Sequence, residues 1–454
     1  MKGKKNLLAA LVIAMSLTIQ AQDLHKINAN ETLKLTLKQA IEIAQSENPV
    51  IKIADYEIKR IDYSKKSAWY GLLPSANVSA QIAKFIVPAQ MAMMGQVMDS
   101  PVDFTLPVGI SFSLPLVAPA LWRSIQMTDI EMQLAVEKSR ASKITLRNDV
   151  TKAYYTVLLA QDSYKALQDG YATAKENYEQ AKKRYDAGVV AEYDYISAEV
   201  QMNNLQPMLF QVENGITQAK TYLKVLMGLD INIPIILDGN LADYETVING
   251  QSGNTPVLLQ NNTDLIQLDI QQKQLQKALQ LQSAQRLPTL AGIGSYGYDA
   301  TSNKETTIQF GQMQIPVEGK TQWISRGFVL GLQLNIPITA IFTNNAKEQQ
   351  IKMQSKMLSL QRDYMESALT LQAQTALDNM NKAIKQINVA KKGVTLSEKG
   401  YSISAKRYDV GMGTMLELQS ATSALTQSRL SYHQAISDYL TAKADYEKII
   451  GKEN

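Results

Sequence analysis

The chain has 454 residues, a formal net charge of +4 and no cysteine, and its 21 tyrosines outnumber seven phenylalanines and three tryptophans. Without thiols there are no disulfides, no thiolate metal sites and no lipid on an N-terminal cysteine, so a membrane location would have to be held by the fold itself. The charges alternate in sign along the chain and form no basic stripe of the kind nucleic acid requires.

Lys2, Lys4 and Lys5 precede an apolar run from Leu7 to Ile19 that ends near the small residue Ala21, the pattern of a signal peptide over residues 1–21. That run is short for a membrane span, and no later segment is apolar for the ~20 residues that a span needs. Leu33 to Glu47 reads as one helix and Pro49 to Tyr70 as a second. The period then changes to two. Over residues 74–84, Ala76, Val78, Ala80 and Ile82 are apolar and Asn77, Ser79 and Gln81 polar, which predicts a strand. A loop rich in methionine follows, and a second strand is predicted over residues 104–116, with Phe104, Leu106, Val108, Ile110, Phe112 and Leu114 against Thr105, Gly109, Ser111 and Ser113.

Pro119 opens the longest helical pattern. Leu146, Val150, Ala153, Val157, Ala160, Tyr164, Leu167, Tyr171, Ala174, Tyr178, Ala181 and Tyr185 recur at alternating three and four spacing, the seam of a left-handed coiled coil. At 1.5 Å per residue such a helix runs roughly 100 Å. Asp186, Ala187 and Gly188 end it. A return helix carries Ala198, Leu205, Val212, Ala219 and Leu226 on its seam, and Pro207 inside it is expected to kink it. The pair makes a helical hairpin over residues 120–228 within a first repeat of residues 22–228.

Residues 229–254 read as a connector without clear period, and the pattern then starts again over residues 255–454. Lys183-Arg-Tyr-Asp-Ala-Gly188 recurs as Lys406-Arg-Tyr-Asp-Val-Gly411, Leu73-Pro74 as Leu287-Pro288, and Leu114-Pro115 as Ile336-Pro337. The second copy has strands predicted over residues 288–298 and 323–337 and a hairpin over residues 342–450. Arg326 interrupts the apolar face of its last strand and is expected at the interfacial end, with its stem snorkelling.

Strands of about ten residues, oily on one face and small and polar on the other, are the signature of a transmembrane β-barrel around water. Four strands cannot close, and an open edge in lipid leaves backbone groups unsatisfied, so several chains must share one barrel. Three chains giving twelve strands is the natural expectation, and symmetry alone leaves two or four open. The expected fold is mostly α, with a trimeric twelve-stranded β-barrel continued by a long coiled-coil α-helical barrel.

The tandem pattern, the two strand pairs and the tip motifs Arg184-Tyr-Asp-Ala-Gly188 and Arg407-Tyr-Asp-Val-Gly411 together resemble the TolC-like outer-membrane efflux family, over nearly the whole mature chain. The resemblance implies a homotrimer whose barrel lies in the outer membrane of a Gram-negative-type cell, with a periplasmic helical tunnel and an equatorial region to which residues 229–254 contribute. It implies a passive exit duct, for a tripartite efflux pump or a type I secretion system, that works with a periplasmic adaptor and an inner-membrane transporter. By motif position Gly188, Val189, Val190, Gly411, Met412 and Gly413 match the tip positions where the adaptor docks. For an aperture, Glu417 stands where the first acid is expected and Ser420 takes the place of the second. Tyr408 matches the tip tyrosine and Asp194 the acid of the first hairpin. The arginine that ties the closed state falls at Gly413 and is missing. Three Glu417 side chains at one level of a narrow tunnel would favour cations; the other reading is a solvated helix-surface glutamate.

No catalytic constellation, cofactor site or nucleotide loop is present, so no enzyme is expected. His25 lies near the N-terminus, and His433 is expected to be solvated on its helix. Met91, Met93, Met94 and Met98 could bind a soft metal through thioethers or could form an apolar external lip. The alternative to a duct is a periplasmic coiled-coil adaptor or scaffold with no pore.

Overall fold

A computed structural model describes residues 33–93, 96–248, 258–310 and 313–453. The signal-peptide expectation and His25 lie outside these residues. The elements run β1 (Leu33–Leu35), α1 (Leu37–Glu47), α2 (Pro49–Tyr70), β2 (Ser75–Ala80), β3 (Ala83–Lys84), β4 (Gln90–Met93), β5 (Gln96–Asp99), β6 (Val102–Val117), α3 (Pro119–Asp186) and α4 (Glu192–Met227). Then come β7 (Ile235–Leu237), a short 3-10 helix (Leu241–Tyr244), α5 (Glu245–Ile248), α6 (Thr263–Ala284), β8 (Thr289–Asn303), β9 (Thr306–Phe310), β10 (Met313–Val317), β11 (Thr321–Asn335), α7 (Ala340–Asp409) and α8 (Met415–Ile449).

The residues fall into two compact units, one of Glu57–Val136 and Gln267–Arg362, the other of the remaining residues. The first unit holds an antiparallel sheet in the order β11-β8-β6, with β2 and β3 together on the far edge of β6. Its register follows from the alternation. Val78 lies opposite Ile110, Ile110 opposite Tyr296 and Tyr296 opposite Phe328, so apolar residues of all four strands share one face. The next row, Ser79, Gly109, Gly297 and Gly327, puts small residues on the other face. Among the described residues the outer edges of β2 and β11 have no partner strand, and β11 is exposed along its whole length.

Several expectations change here. The methionine-rich loop is a hairpin, β4 against β5, in which Met91 faces Met98 across the ladder. β9 and β10 form a second hairpin that shows no clean alternation in sequence. β8 runs on to Asn303, and β11 stops at Asn335, short of Pro337, which cannot donate to a ladder. Arg326 does not break the apolar face. A bulge between Ser325 and Gly327 takes it out of the alternation, and its guanidinium grips both carboxylate oxygens of Asp299.

In the second unit β1 pairs in parallel with β7. The predicted helix from Leu33 therefore starts later, at Leu37. Thr36 sets that boundary: its hydroxyl accepts the Gln39 N–H at 3.4 Å, and the Gln39 side chain accepts the Thr36 N–H at 3.0 Å. The connector, read as patternless, holds β7, the 3-10 helix and α5, each too short to show a period. Leu35, Ile51, Leu158, Leu223, Met227, Leu241, Ile248 and Ile436 bury together against the helices. At the centre the Tyr154 hydroxyl donates among the backbone carbonyls of Leu35 at 3.2 Å and Asp238 at 2.9 Å, tying α3 to β1 and to the residue after β7. Burial pushes that phenol well above its usual range.

The seam residues behave as their spacing demands. Val150, Val157, Ala181, Ala373 and Ala383 are buried, and small side chains recur where helices approach closely. His433 departs from expectation: its imidazole is largely buried, 3.7 Å from the Asp162 carboxylate, and that carboxylate already accepts the Leu241 N–H at 2.9 Å. Burial holds the imidazole below its ordinary value, with Asp162 opposing and Arg429 assisting. No helix among the described residues is long and apolar enough to cross a membrane, which says nothing of a β-barrel.

Tyr154→Phe should lower stability by about 1 kcal/mol by removing the bond to the Asp238 carbonyl, while the Leu35 carbonyl keeps the Asp238 N–H, measured as a lower thermal midpoint of the purified protein. Because the folded state disfavours protonated His433, its contribution to stability is full above the ordinary imidazole value and is lost as pH falls below it. The slope of melting temperature with pH between about 6.5 and 5 should therefore be shallower in His433→Gln than in the wild type.

Candidate functional site

The two helix reversals are built alike. After α3, Gly188 adopts φ +73°, its N–H reaches the Tyr185 carbonyl at 2.8 Å and the Val189 N–H reaches Arg184 at 2.8 Å. After α7, Gly411 adopts φ +75°, its N–H reaches Tyr408 at 3.1 Å and the Met412 N–H reaches Arg407 at 2.8 Å. Both are Schellman closures, which require a left-handed residue and favour glycine. Gly413 has a different reason to be glycine: a Cβ there would lie 3.1 Å from both the Arg407 Cβ and the Tyr408 nitrogen. Val189, Val410 and Met412 stand exposed at the turns, joined by Tyr193 and Leu416 in the first turns of α4 and α8. Val190 is half-buried.

Beneath the turns lies a small core of Ala181, Ala198, Tyr408, Met415 and Leu418, with Tyr178, Tyr195 and Tyr401 at its margin. Tyr185 stacks on Tyr195 with ring centroids 5.6 Å apart. Tyr408 is therefore a core residue. Its ring lies under the Arg184 guanidinium at 4.7 Å, and burial raises its phenol, with Arg184 opposing and Asp194 adding to the rise. Arg184 also donates to the carbonyls of Tyr408 at 2.7 Å and Asp409 at 2.9 Å, so the first tip holds the last turn of α7.

The expected aperture residues do not form one cluster within the chain. Asp194 is half-buried in the first turn of α4, near Tyr408, where an acid suits the helix dipole. Glu417 is half-exposed in the first turn of α8, its N–H capped by the Thr414 hydroxyl at 3.2 Å, and Ser420 is exposed. Glu417 is a helix-surface carboxylate open to solvent, with an arginine beside it. Arg407 approaches it at 3.5 Å while donating to the Met412 carbonyl at 3.2 Å. The arginine beside Glu417 thus belongs to α7, and position 413 is glycine.

Sequence reasoning missed Arg184 and Arg407 as functional candidates, although both stand in the recurring tip motif. It also missed the polar contacts between hairpins, Gln419 to Ser197 at 3.2 Å and Gln201 to Ser423 at 3.0 Å, which no spacing announces. Among the described residues no group of acidic and histidine side chains is placed to hold a metal ion.

Paired helical hairpins with glycine-closed tips and an open-edged sheet with one apolar face describe an outer-membrane channel subunit. The sequence matches the family described as outer membrane efflux protein over residues 40–229 and again over residues 255–452, and the chain belongs to that family. It is 22% identical over 348 residues to the outer membrane protein TolC of Vibrio cholerae, covering 76% of each. Its fold is similar to that of the CmeC outer membrane channel of Campylobacter jejuni, with a TM-score of 0.70 at 16% identity over 92% of this chain and 87% of that one. It is likewise similar to the MtrE outer membrane channel of Neisseria gonorrhoeae in its open state, with a TM-score of 0.68 at 19% identity over 91% of this chain and 88% of that one. The protein is thus one of the outer membrane of a Gram-negative-type cell with a large periplasmic portion, and its relatives are channels, not enzymes. Family membership sets aside the poreless adaptor reading.

If Arg184 holds the second tip, Arg184→Gln should lower amide-exchange protection at residues 410–413 about tenfold relative to the wild type, the effect of losing hydrogen bonds to a charged donor. Unchanged protection would show that Tyr408 packing alone holds the turn.

Proposed function

We propose that three copies of this chain form a twelve-stranded barrel and a helical tunnel that passively conducts substrate out of the periplasm. The chain serves as the exit duct of a tripartite pump or type I secretion system. The observation that carries this reading is the open-edged sheet. β2 and β11 each present an unpaired ladder beside an apolar face, and in lipid such edges are tolerable only when another copy closes them. Two tandem repeats, residues 22–228 and 255–454 about a connector of residues 229–254, would give the trimer twelve helix and strand positions of near-equal kind.

In this reading the exposed Val189 and Met412, with Val190, Gly188, Gly411 and Gly413 shaping the turns, receive a periplasmic adaptor, and an inner-membrane transporter supplies the energy. Asp194, Tyr408, Glu417 and Ser420 line or support the constriction. The Arg407–Glu417 contact sets how much negative charge it shows: paired, Glu417 is screened, and if the pair opens, three carboxylates face one lumen.

The detergent-extracted mature protein should have the mass of three chains. A monomer that stays well behaved would remove the shared barrel. In planar bilayers Arg407→Gln should raise the preference for cations over anions, and Glu417→Gln should lower it. Equal selectivity in both variants would place Glu417 away from the pore.

A further inference from the structure

A groove of about 820 Å³ lies in the sheet-bearing unit between the first turns of α3 and the last turns of α6. Its end nearest the sheet is formed by Leu116, Val117 and Leu287, and Leu279 and Trp122 continue the wall. Leu116 is the bulged residue between Pro115 and Val117, and its side chain turns to the face of Leu114, where a Cβ on Gly292 would meet its Cδ1 at 3.8 Å, so the groove runs on from the sheet surface that faces lipid in the barrel reading, on which this inference rests. Leu116, Trp122 and Leu287 remain 49%, 50% and 49% exposed. Trp69 packs edge-to-face on Trp122 with ring centroids 5.8 Å apart, and such a tryptophan pair suits the level where hydrocarbon meets water.

Beside Trp122 and Leu279 the lining also carries Arg123, and Lys277 stands just outside it. Arg123 donates to the amide oxygens of Gln126 at 2.9 Å and Gln280 at 3.4 Å, and Lys277 shares the same two oxygens at 3.3 and 3.5 Å. Two cations thus converge on neutral acceptors, and among the described residues neither has a carboxylate partner. Glu348, which accepts from Ser283 on the groove wall at 3.1 Å, is already paired with Arg286 at 2.8 Å. An anionic oxygen would replace the amide contacts with stronger charge-assisted ones, and the arginine fork matches phosphate geometry.

We propose that this groove binds an anionic glycerophospholipid of the periplasmic leaflet of the outer membrane, one acyl chain along Leu116, Leu279, Leu287 and Trp122 and the phosphate between Arg123 and Lys277. Leu116, Val117 and Leu287 lie beside the sheet and Arg123 with Lys277 further along α3 and α6, the order in which a lipid of that leaflet presents its chain and its headgroup.

The test is native mass spectrometry of the full mature assembly in detergent with added phosphatidylglycerol, and in parallel with phosphatidylcholine of the same acyl chains. Wild type should retain phosphatidylglycerol at up to one per chain and phosphatidylcholine more weakly. R123Q/K277Q should lose affinity for phosphatidylglycerol about tenfold or more, whereas R123K/K277R should stay close to wild type. Equal retention by wild type and R123Q/K277Q in a conducting trimer overturns the site alone. A conducting wild-type trimer that retains no lipid does so too, because a neighbouring copy then covers the groove. A chain that neither inserts into liposomes nor conducts overturns the barrel reading and the site with it.

Discussion

The sheet of this protein is oily on one face and unfinished at both sides, and the backbone cannot stay that way in hydrocarbon. Every N–H and C=O at the outer edges of β2 and β11 needs a partner that water would otherwise supply. From that need comes the proposal of a barrel shared by three copies, with the small residues of the sheet on its inner face. The helical part answers a different demand. Alanine at Ala181, Ala373 and Ala383 lets long helices lie close, and tyrosines fill the wider intervals with a ring that is apolar along its body and polar at its tip.

What could be read from the sequence was whatever repeats over many residues. The seam of α3 recurs through many turns, so its start at Pro119 and its end at Asp186 were readable to the residue. The alternation from Ala76 to Ala80 announced β2 for the same reason, although the expected strand to residue 84 is broken at Gln81 and Ile82 before β3. Short or exceptional features were not readable. β1 and β7 are three residues each and take their identity from one another and from Tyr154, a contact 119 residues distant on one side. Arg326 looked like a break in a face because a bulge leaves no mark in the pattern of apolar residues, only a glycine after it. His433 looked solvated because its burial comes from Asp162 of another helix and the connector that packs over it.

The candidate site divides the same way. Gly188 and Gly411 could be placed from the recurring motif, since the turn demands a left-handed residue, whereas Glu417 was placed by the family resemblance. The contacts that decide what those residues do came only with the coordinates: Arg184 over Tyr408, and Arg407 beside Glu417. An arginine at the same place in both motif copies has opposite duties. In the first copy it reaches across to the other hairpin; in the second it turns back on its own.

The Schellman closures separate two tasks that a loop usually has to share. Each reversal closes on a left-handed glycine, the second with Gly413 and two arginines beside it, and no side chain of Val189 or Met412 is spent on shaping it. Those outward positions can therefore change chemistry from one lineage to another without disturbing the turn beneath them. In the proposed docking, a change of partner would then need substitutions only at the exposed Val189, Tyr193, Val410, Met412 and Leu416, with the turns that carry them left as they are.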